Sequence, residues 1–254
     1  MKGPTKICLV LLCWLAAVAG AGAAPVSLDY TVVGTFPHRV RAFTQGLVVH
    51  DGALMESSGR YRQSSVAILD LESGEVRQER ALADHLFGEG LALVGERLYQ
   101  LTWRAGQALL YDAATLEPAG TMSYSGEGWG LTHDGRHLIM SDGSAELSFR
   151  DPADFSEVRR ITVTDGARPV KRLNELEWIE GRVYANVYLS SRVVVINPQD
   201  GVVQAELDLT PLFRKAREQV QAGVANGIAW DSKARRLFVT GKNWPAIYEI
   251  EVKQ

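Results

Sequence analysis

The segment Phe43-Thr44-Gln45-Gly46-Leu47 is the first of five related segments that decide the fold. The other four are Phe87-Gly88-Glu89-Gly90-Leu91, Gly128-Trp129-Gly130-Leu131, Asn174-Glu175-Leu176-Glu177-Trp178 and Asn226-Gly227-Ile228-Ala229-Trp230. Aligned on Gln45, Glu89, Trp129, Glu175 and Asn226, they are separated by 44, 40, 46 and 51 residues. Repeats of about 40 to 50 residues with many short strands are typical of β-propeller blades. Because a propeller brings equivalent positions of its blades to one axis, we expect Gln45, Glu89, Trp129, Asn174 and Asn226 to lie close together.

A second marker supports the same repeat. Each segment is followed, 22 to 25 residues later, by the polar end of an apolar strand: Ser65–Asp70, Ala108–Asp112, Leu147–Asp151, Val193–Asn197 and Ala246–Glu249. The fold predicted is therefore all-β, a five-bladed β-propeller of four-stranded antiparallel blades formed by residues 26–254 as one domain.

Two segments fall outside the repeat. Thr210 to Gln221 has apolar residues at helical spacing, Thr210 as a possible cap and Pro211 at the start, so it predicts one short helix inserted between blades four and five. Tyr30 to Phe36 precedes the first repeat, and we expect it to join the last blade as its outer strand. That pairing closes the ring and covers an edge that is otherwise prone to aggregation.

The N-terminus predicts a secretory signal peptide over residues 1–24. Lys2 and Lys6 precede the apolar stretch Ile7 to Ala19, and Ala21-Gly22-Ala23 resembles a cleavage site. An uncleaved anchor is the alternative. We expect a secreted or periplasmic protein with no membrane contact once the signal is removed.

Composition excludes several function classes for the mature chain. Both cysteines, Cys8 and Cys13, lie in the predicted signal, so the mature chain has no disulfide, thiolate nucleophile or cysteine-ligated metal. Loss of Lys2 and Lys6 takes the formal net charge from −3 to −5. Without a basic run, nucleic-acid binding is not expected.

Familiar catalytic motifs are absent from the sequence. It contains no nucleophile elbow, phosphate loop or dinucleotide fingerprint. The histidines lack the spacing of metal ligands, and we interpret them as surface or turn residues: His38, His50, His85, His133 and His137.

The remaining candidates are aromatic side chains interleaved with a few polar groups: Phe43, Phe87, Trp103 and Trp129 with Gln45, Glu89, Asn174 and Lys242. Glu89, between two glycines, is either a structural carboxylate or a general acid/base whose pKa is raised by aromatic neighbours. Glu175 and Glu177 favour strand anchoring. A lysine in a loop such as Lys242 is more often solvated than functional.

Taken in order, these residues resemble the plant-type glutaminyl cyclases. The resemblance covers nearly the whole mature chain and rests on nine motifs: Phe43 to Leu47, Glu56-Ser57-Ser58-Gly59, Phe87 to Leu91, Gln100-Leu101-Thr102-Trp103, Gly126 to Leu131, Ser141-Asp142-Gly143-Ser144, Leu173 to Glu177, Asn226 to Asp231, and Thr240-Gly241-Lys242 with Trp244-Pro245. It implies a five-bladed propeller that converts the N-terminal glutamine of peptides or proteins to pyroglutamate and releases ammonia.

The resemblance also implies roles for individual residues. Glu89 matches the family's catalytic carboxylate, with Asn174 and Lys242 as further catalytic groups. The substrate box comprises Phe43, Gln45, Phe87, Trp103 and Trp129, with Tyr188 standing where the family usually has tryptophan. Glu127 is a possible secondary polar contact. We expect no metal, no cofactor and a monomer.

The reaction suits a chain without a serine or cysteine nucleophile, because the substrate supplies both its amine and its amide carbon. Two other classes remain open at this point. One is a secreted propeller that binds a ligand without catalysis. The other is a lactonase-like hydrolase with an axial calcium on Glu89, Asn174 and Asn226.

Overall fold

The protein is described by a computed structural model that covers residues 24–253. The predicted signal peptide at 1–24 therefore lies almost wholly outside the described residues. The first two described strands are β1 (Val26–Ser27) and β2 (Asp29–Pro37), and neither belongs to the first blade.

Five antiparallel sheets follow one another along the chain, and each meets the next to form a ring. Blades one and two contain β3 (Thr44–His50), β4 (Ala53–Ser58), β5 (Ser65–Asp70), β6 (Val76–Ala81), β7 (Gly88–Val94), β8 (Arg97–Thr102), β9 (Gln107–Asp112) and β10 (Pro118–Ser123). Blade three contains β11 (Leu131–His133), β12 (Leu138–Ser141), β13 (Glu146–Arg150) and β14 (Glu157–Thr162). The five-bladed propeller predicted from the repeat is confirmed.

The second half of the chain adds elements that the repeat did not predict. A short hairpin, β15 (Thr164–Asp165) and β16 (Arg168–Pro169), links blades three and four. Blade four contains β17 (Leu173–Ile179), β18 (Arg182–Val187), β19 (Arg192–Ile196) and β20 (Val203–Asp208). The strand β1 pairs with β20 in parallel, so this blade has five strands rather than four.

The predicted helix is present between blades four and five, but it is shorter than expected. Helix α1 covers Thr210–Arg217, and the chain leaves the helix through turns instead of reaching Gln221. Thr210 does not cap it: Leu209 is the N-cap residue without a side-chain bond, and Asp208 Oδ1 accepts from the Thr210 backbone N–H at 2.8 Å. The capping part of the prediction is therefore wrong. Among residues 24–253 no helix is long and apolar enough to cross a bilayer.

Blade five closes the ring as predicted. It contains β21 (Ala225–Asp231), β22 (Arg236–Gly241) and β23 (Ala246–Lys253), and β2 pairs antiparallel with β23 as the outer strand. Phe36 on β2 is buried with Phe238 and Ile247 against blade one. The N-terminal strand thus covers the edge of β23 and also contributes to the hydrophobic core.

Hydrophobic clusters fill the spaces between neighbouring blades. Leu91 and Leu98 pack on Met55 and Val66 between blades one and two, and the remaining interfaces repeat this pattern. Inner strands approach so closely that a Cβ on Gly90 would lie 2.4 Å from the backbone nitrogen of Leu131. Glycine recurs in the repeat because only glycine fits this approach.

Candidate active site

Blade geometry places the candidate side chains at one end of the propeller. Phe43, Phe87 and Trp129 precede the inner strands β3, β7 and β11, while Trp103, Tyr188 and Lys242 follow the second strands β8, β18 and β22. The start of an inner strand and the end of its antiparallel neighbour lie at the same end of a hairpin. These residues therefore converge, although they are as far apart in sequence as Phe43 and Lys242.

The polar candidates lie on the inner strands themselves, near irregularities in the pairing. The register shifts between Thr44 and Gly46, between Gly88 and Leu91, and between Leu173 and Leu176. Bulges of this kind re-aim a side chain. They occur at Gln45, Glu89 and Asn174, whose side chains line one small cavity.

This cavity has a volume of about 230 Å³. Its lining consists of the nine residues that the sequence nominated: Phe43, Gln45, Phe87, Glu89, Trp103, Trp129, Asn174, Tyr188 and Lys242. Phe87 meets Trp103 edge-on with ring centroids 5.6 Å apart, and Trp129 meets Tyr188 in the same way at 5.5 Å. The structure therefore brings these nine residues together around one cavity.

Glu89 is the carboxylate of this cavity and is 5 % exposed. Its Oε1 accepts a hydrogen bond of 3.0 Å from Gln45 Nε2, whereas Oε2 has no hydrogen-bond partner among residues 24–253. Burial raises the pKa of Glu89 well above its usual value; Lys242 opposes this effect and Glu127 adds to it. Glu89 thus combines a free oxygen with an increased affinity for protons.

Lys242 is the cation of the site, and the structure does not place it in solvent. It is 4 % exposed, with Nζ 4.6 Å from the ring centroid of Phe43 and 5.0 Å from that of Tyr188. Burial lowers its pKa to about 8, and Glu89 partly offsets that change. The ammonium group is held by aromatic faces and lines the cavity.

Asn174 supplies an unused acceptor. Its Oδ1 is buried and has no hydrogen-bond partner in the described part of the chain. An unpaired buried acceptor costs about 1–3 kcal/mol, which a bound donor can recover. Asn174 is therefore suited to receive an N–H group of a ligand.

Asn226 was expected in the same site, but it lies behind the lining. Its Nδ2 donates to the carbonyl of Thr44 at 2.9 Å and to Gln45 Oε1 at 3.2 Å. The lactonase-like set of Glu89, Asn174 and Asn226 is thus not assembled around one point of the cavity. Within residues 24–253, acidic, histidine and cysteine side chains form no group of three suited to a metal ion.

Glu175 and Glu177 are structural, as their sequence context favoured. Glu175 Oε2 accepts from the backbone N–H of Ile228 at 2.9 Å, and Glu177 Oε1 accepts from that of Trp230 at 2.8 Å. Both bonds join blade four to blade five. A wider depression of about 610 Å³ at the other ends of the inner strands includes Glu177, but Thr132 and Trp178 engage its second oxygen. Its carboxylate is therefore committed to the scaffold.

Sequence reasoning misread His38 and gave Glu127 only as a possible secondary polar contact. His38 is buried, with Nε2 2.9 Å from Glu56 Oε1 and Nδ1 2.9 Å from the carbonyl of Trp244, so its interpretation as a surface residue is wrong. Glu127 contacts two tryptophans of the cavity wall. Neither arrangement has a local sequence signal, because Glu56 and Trp244 are distant from His38 in the sequence, as Trp103 is from Glu127.

Comparisons with known proteins agree with this geometry. The family model described as glutamine cyclotransferase matches residues 5–252. A glutaminyl-peptide cyclotransferase of Arabidopsis thaliana is 41 % identical over 230 residues, which cover 89 % of this chain and 72 % of the relative. The crystal structure of Myxococcus xanthus glutaminyl cyclase superposes with a TM-score of 0.85 at 39 % identity, covering 90 % of this chain and 98 % of that one. The chain belongs to the glutamine cyclotransferase family.

Proposed function

We propose that this cavity cyclises the N-terminal glutamine of peptides or proteins to pyroglutamate and releases ammonia. One observation carries the proposal: a buried carboxylate with a raised pKa, Glu89, lies in a small aromatic cavity beside the buried ammonium of Lys242. The cavity volume of about 230 Å³ suits a single amino-acid side chain. The rest of the peptide extends from the mouth.

The proton transfers that the reaction requires can be carried out by Glu89. An N-terminal amine has a pKa of about 8 and arrives protonated at neutral pH. Because burial raises the pKa of Glu89 well above its usual range, its carboxylate is a stronger base than an exposed one and can take this proton to leave a neutral amine.

Ring closure then needs only atoms of the substrate. The amine nitrogen attacks the side-chain amide carbon, a C–N bond forms, and the carbonyl oxygen becomes negative. Glu89 gives its proton to the departing amide nitrogen and takes one from the attacking nitrogen. The carbonyl reforms as the other C–N bond breaks, and the departing ammonia takes the proton now on Glu89, so that ammonium leaves and the carboxylate is restored.

Other cavity residues stabilise and orient these species. The Lys242 ammonium is suited to the negative oxygen, since it is desolvated and fixed before the reaction. The unpaired Asn174 Oδ1 is suited to accept from the amide nitrogen. The aromatic walls exclude water and hold the side chain folded, which makes attack effectively intramolecular at high local concentration.

The test uses the purified protein and a Gln-Ala amide substrate. We expect stoichiometric ammonia and pyroglutamyl product, and none from the N-acetylated peptide, which lacks the nucleophile. Glu89→Gln should reduce kcat by a factor of about 10² to 10⁴. The matched variant Glu177→Gln changes a partly buried carboxylate outside the cavity and should keep turnover. Absence of product from wild-type protein, or full activity of Glu89→Gln, would contradict the proposal.

Chelation separates this chemistry from a calcium-dependent hydrolase. Because the substrate supplies the nucleophile and Lys242 supplies the positive charge, ammonia release should survive exhaustive dialysis against a chelator. Loss of turnover that added metal restores would contradict the proposed roles.

The cellular setting and the assembly belong to the same proposal. We place the enzyme outside the cytoplasm, after removal of residues 1–24, as a single domain over 26–254 and as a monomer. N-terminal sequencing of the exported protein tests the cleavage, and sedimentation tests the assembly. A mature chain that still begins at Met1 would refute the signal peptide.

A further inference from the structure

Glu127 does not line the cavity, yet it touches two of its walls. Oε2 accepts the indole N–H of Trp103 at 2.7 Å and that of Trp129 at 3.0 Å. Oε1 accepts from Nε of Arg104 at 2.9 Å. Trp103 follows the second strand of blade two and Trp129 precedes the first strand of blade three, so one carboxylate joins walls from two blades.

These hydrogen bonds fix the ring orientation of both tryptophan side chains. A hydrogen bond to a charged group is shorter and stronger than one between neutral groups. Gly143 packs directly under Trp129, since a Cβ there would lie 2.6 Å from Cζ2, and Phe87 meets Trp103 edge-on. Packing limits each ring on one side, and Glu127 fixes its polar edge on the other.

We propose that Glu127 is a positioning residue that holds Trp103 and Trp129 in the orientation that folds the substrate glutamine onto its own amine. The inference rests on the proposed cyclase function. Intramolecular attack depends steeply on geometry, and a displacement of about 1 Å can reduce the rate about 10²-fold. Rotation of either indole ring would therefore lower kcat even though no reacting group has changed.

The charge of Glu127 acts on Glu89 in addition. Burial raises the pKa of Glu127, but the bonds from Trp129, Trp103 and Arg104 outweigh this and lower it, so the side chain is ionised at neutral pH. Its negative charge raises the pKa of Glu89, opposite to the effect of Lys242. Tyr124 is the other titratable group coupled to Glu89, and burial raises its pKa to about 12, so it stays neutral.

Two substitutions separate position from charge. Glu127→Gln keeps the size of the side chain and loses the charge and one acceptor. We expect kcat for Gln-Ala amide to fall about tenfold, with a smaller change in KM, and the acidic limb of the kcat/KM profile to move to lower pH. Glu127→Asp keeps the charge and shortens the reach, so kcat should fall while the acidic limb stays in place.

The matched control is Glu117→Gln. Glu117 is an exposed carboxylate next to the outer strand of blade two that pairs with Arg80 of blade one, and it does not line the cavity. Its loss should leave kcat, KM, the pH profile and the melting temperature unchanged. Near-ultraviolet circular dichroism of the free protein reports the indoles directly, and only the Glu127 variants should alter it.

The outcomes are distinguishable from failure of the cyclase function. If wild-type protein forms no pyroglutamate, the function is wrong, whatever the dichroism shows. If wild-type protein is active and Glu127→Gln matches Glu117→Gln in kinetics and dichroism, the positioning role is wrong.

Discussion

Gln45 donates a hydrogen bond of 3.0 Å to Glu89, from the repeat position of blade one to that of blade two. Gln45 in turn accepts from Asn226, which occupies the same position in blade five. Three equivalent positions of the propeller thus form one chain of side chains that ends on the carboxylate of the cavity. The bond holds Oε1 in place, and Oε2 accepts no hydrogen bond from residues 24–253.

Lys242 should set the basic limb of the activity profile. Because burial lowers its pKa to about 8, wild-type activity should fall as pH rises through that value and the ammonium group is lost. In Lys242→Met the cation that lowers the pKa of Glu89 is missing, so the acidic limb should move to higher pH. Titration of the substrate amine affects both enzymes equally. The difference between their kcat/KM profiles therefore reports the contribution of Lys242 alone. Superimposable profiles would contradict this assignment.

Tyr188 should act through its ring rather than its hydroxyl. The ring contacts Trp129 edge-on and lies 5.0 Å from Lys242 Nζ. Such aromatic and cation–π contacts contribute about 1 kcal/mol each, so Tyr188→Ala should raise KM about tenfold. The control Tyr188→Phe keeps the ring and should remain near wild type. An equal loss in both variants would point to the hydroxyl instead.

Glu177 should make the fold less stable as pH rises. Burial raises its pKa from 4.5 to about 8, so the folded chain binds the proton more tightly than the unfolded chain. Stability is then fully present below about pH 4.5 and is lost as pH rises toward 8, by up to about 5 kcal/mol. Melting temperatures measured from pH 5 to 9 should fall less for Glu177→Gln than for wild type. If the melting temperatures of the two proteins fall in parallel with pH, the raised pKa of Glu177 is contradicted.

Glu56 should show the opposite dependence. Burial opposes its ionisation, but His38, Arg39 and Thr44 outweigh burial and lower its pKa from 4.5 to about 2. Its contribution is therefore present above about pH 4.5 and lost as pH falls toward 2, with a magnitude of about 3 kcal/mol. Glu56→Gln should lower the melting temperature at neutral pH and flatten its decline in acid. A variant as stable as wild type at pH 7 would exclude this network as a source of stability.

The N-terminal strand should be essential for the ring. Deleting residues 26–37 removes β2 and the buried Phe36, and it exposes the edge of β23. Loss of a buried phenylalanine alone costs about 3–5 kcal/mol, which corresponds to about 10 °C in a domain of this size. Deleting only residues 24–27, which are mostly exposed, should cost less. An unchanged melting temperature of the longer deletion would exclude this form of closure.

Particular residues show how far sequence reasoning reached. The repeat located Gln45, Glu89 and Asn174 because each lies at or next to the aligned position of its blade. Trp103 and Lys242 were candidates by residue type alone, since they follow second strands and have no marker of their own, and Tyr188 came only from the family resemblance. The parallel strand Val26–Ser27 was missed, because a two-residue pairing leaves no pattern in the chain.

Local sequence determined the number of blades, the place of the helix and the N-terminal strand as the closing element. These features depend on hydrophobic alternation and turn residues, which act over a few neighbours. Only the tertiary structure decided which side chains come into contact. It places Lys242 against Phe43, joins Glu127 to two tryptophans, and buries His38 against Glu56. Contact and desolvation depend on distance in space, and a propeller brings together residues that are far apart along the chain.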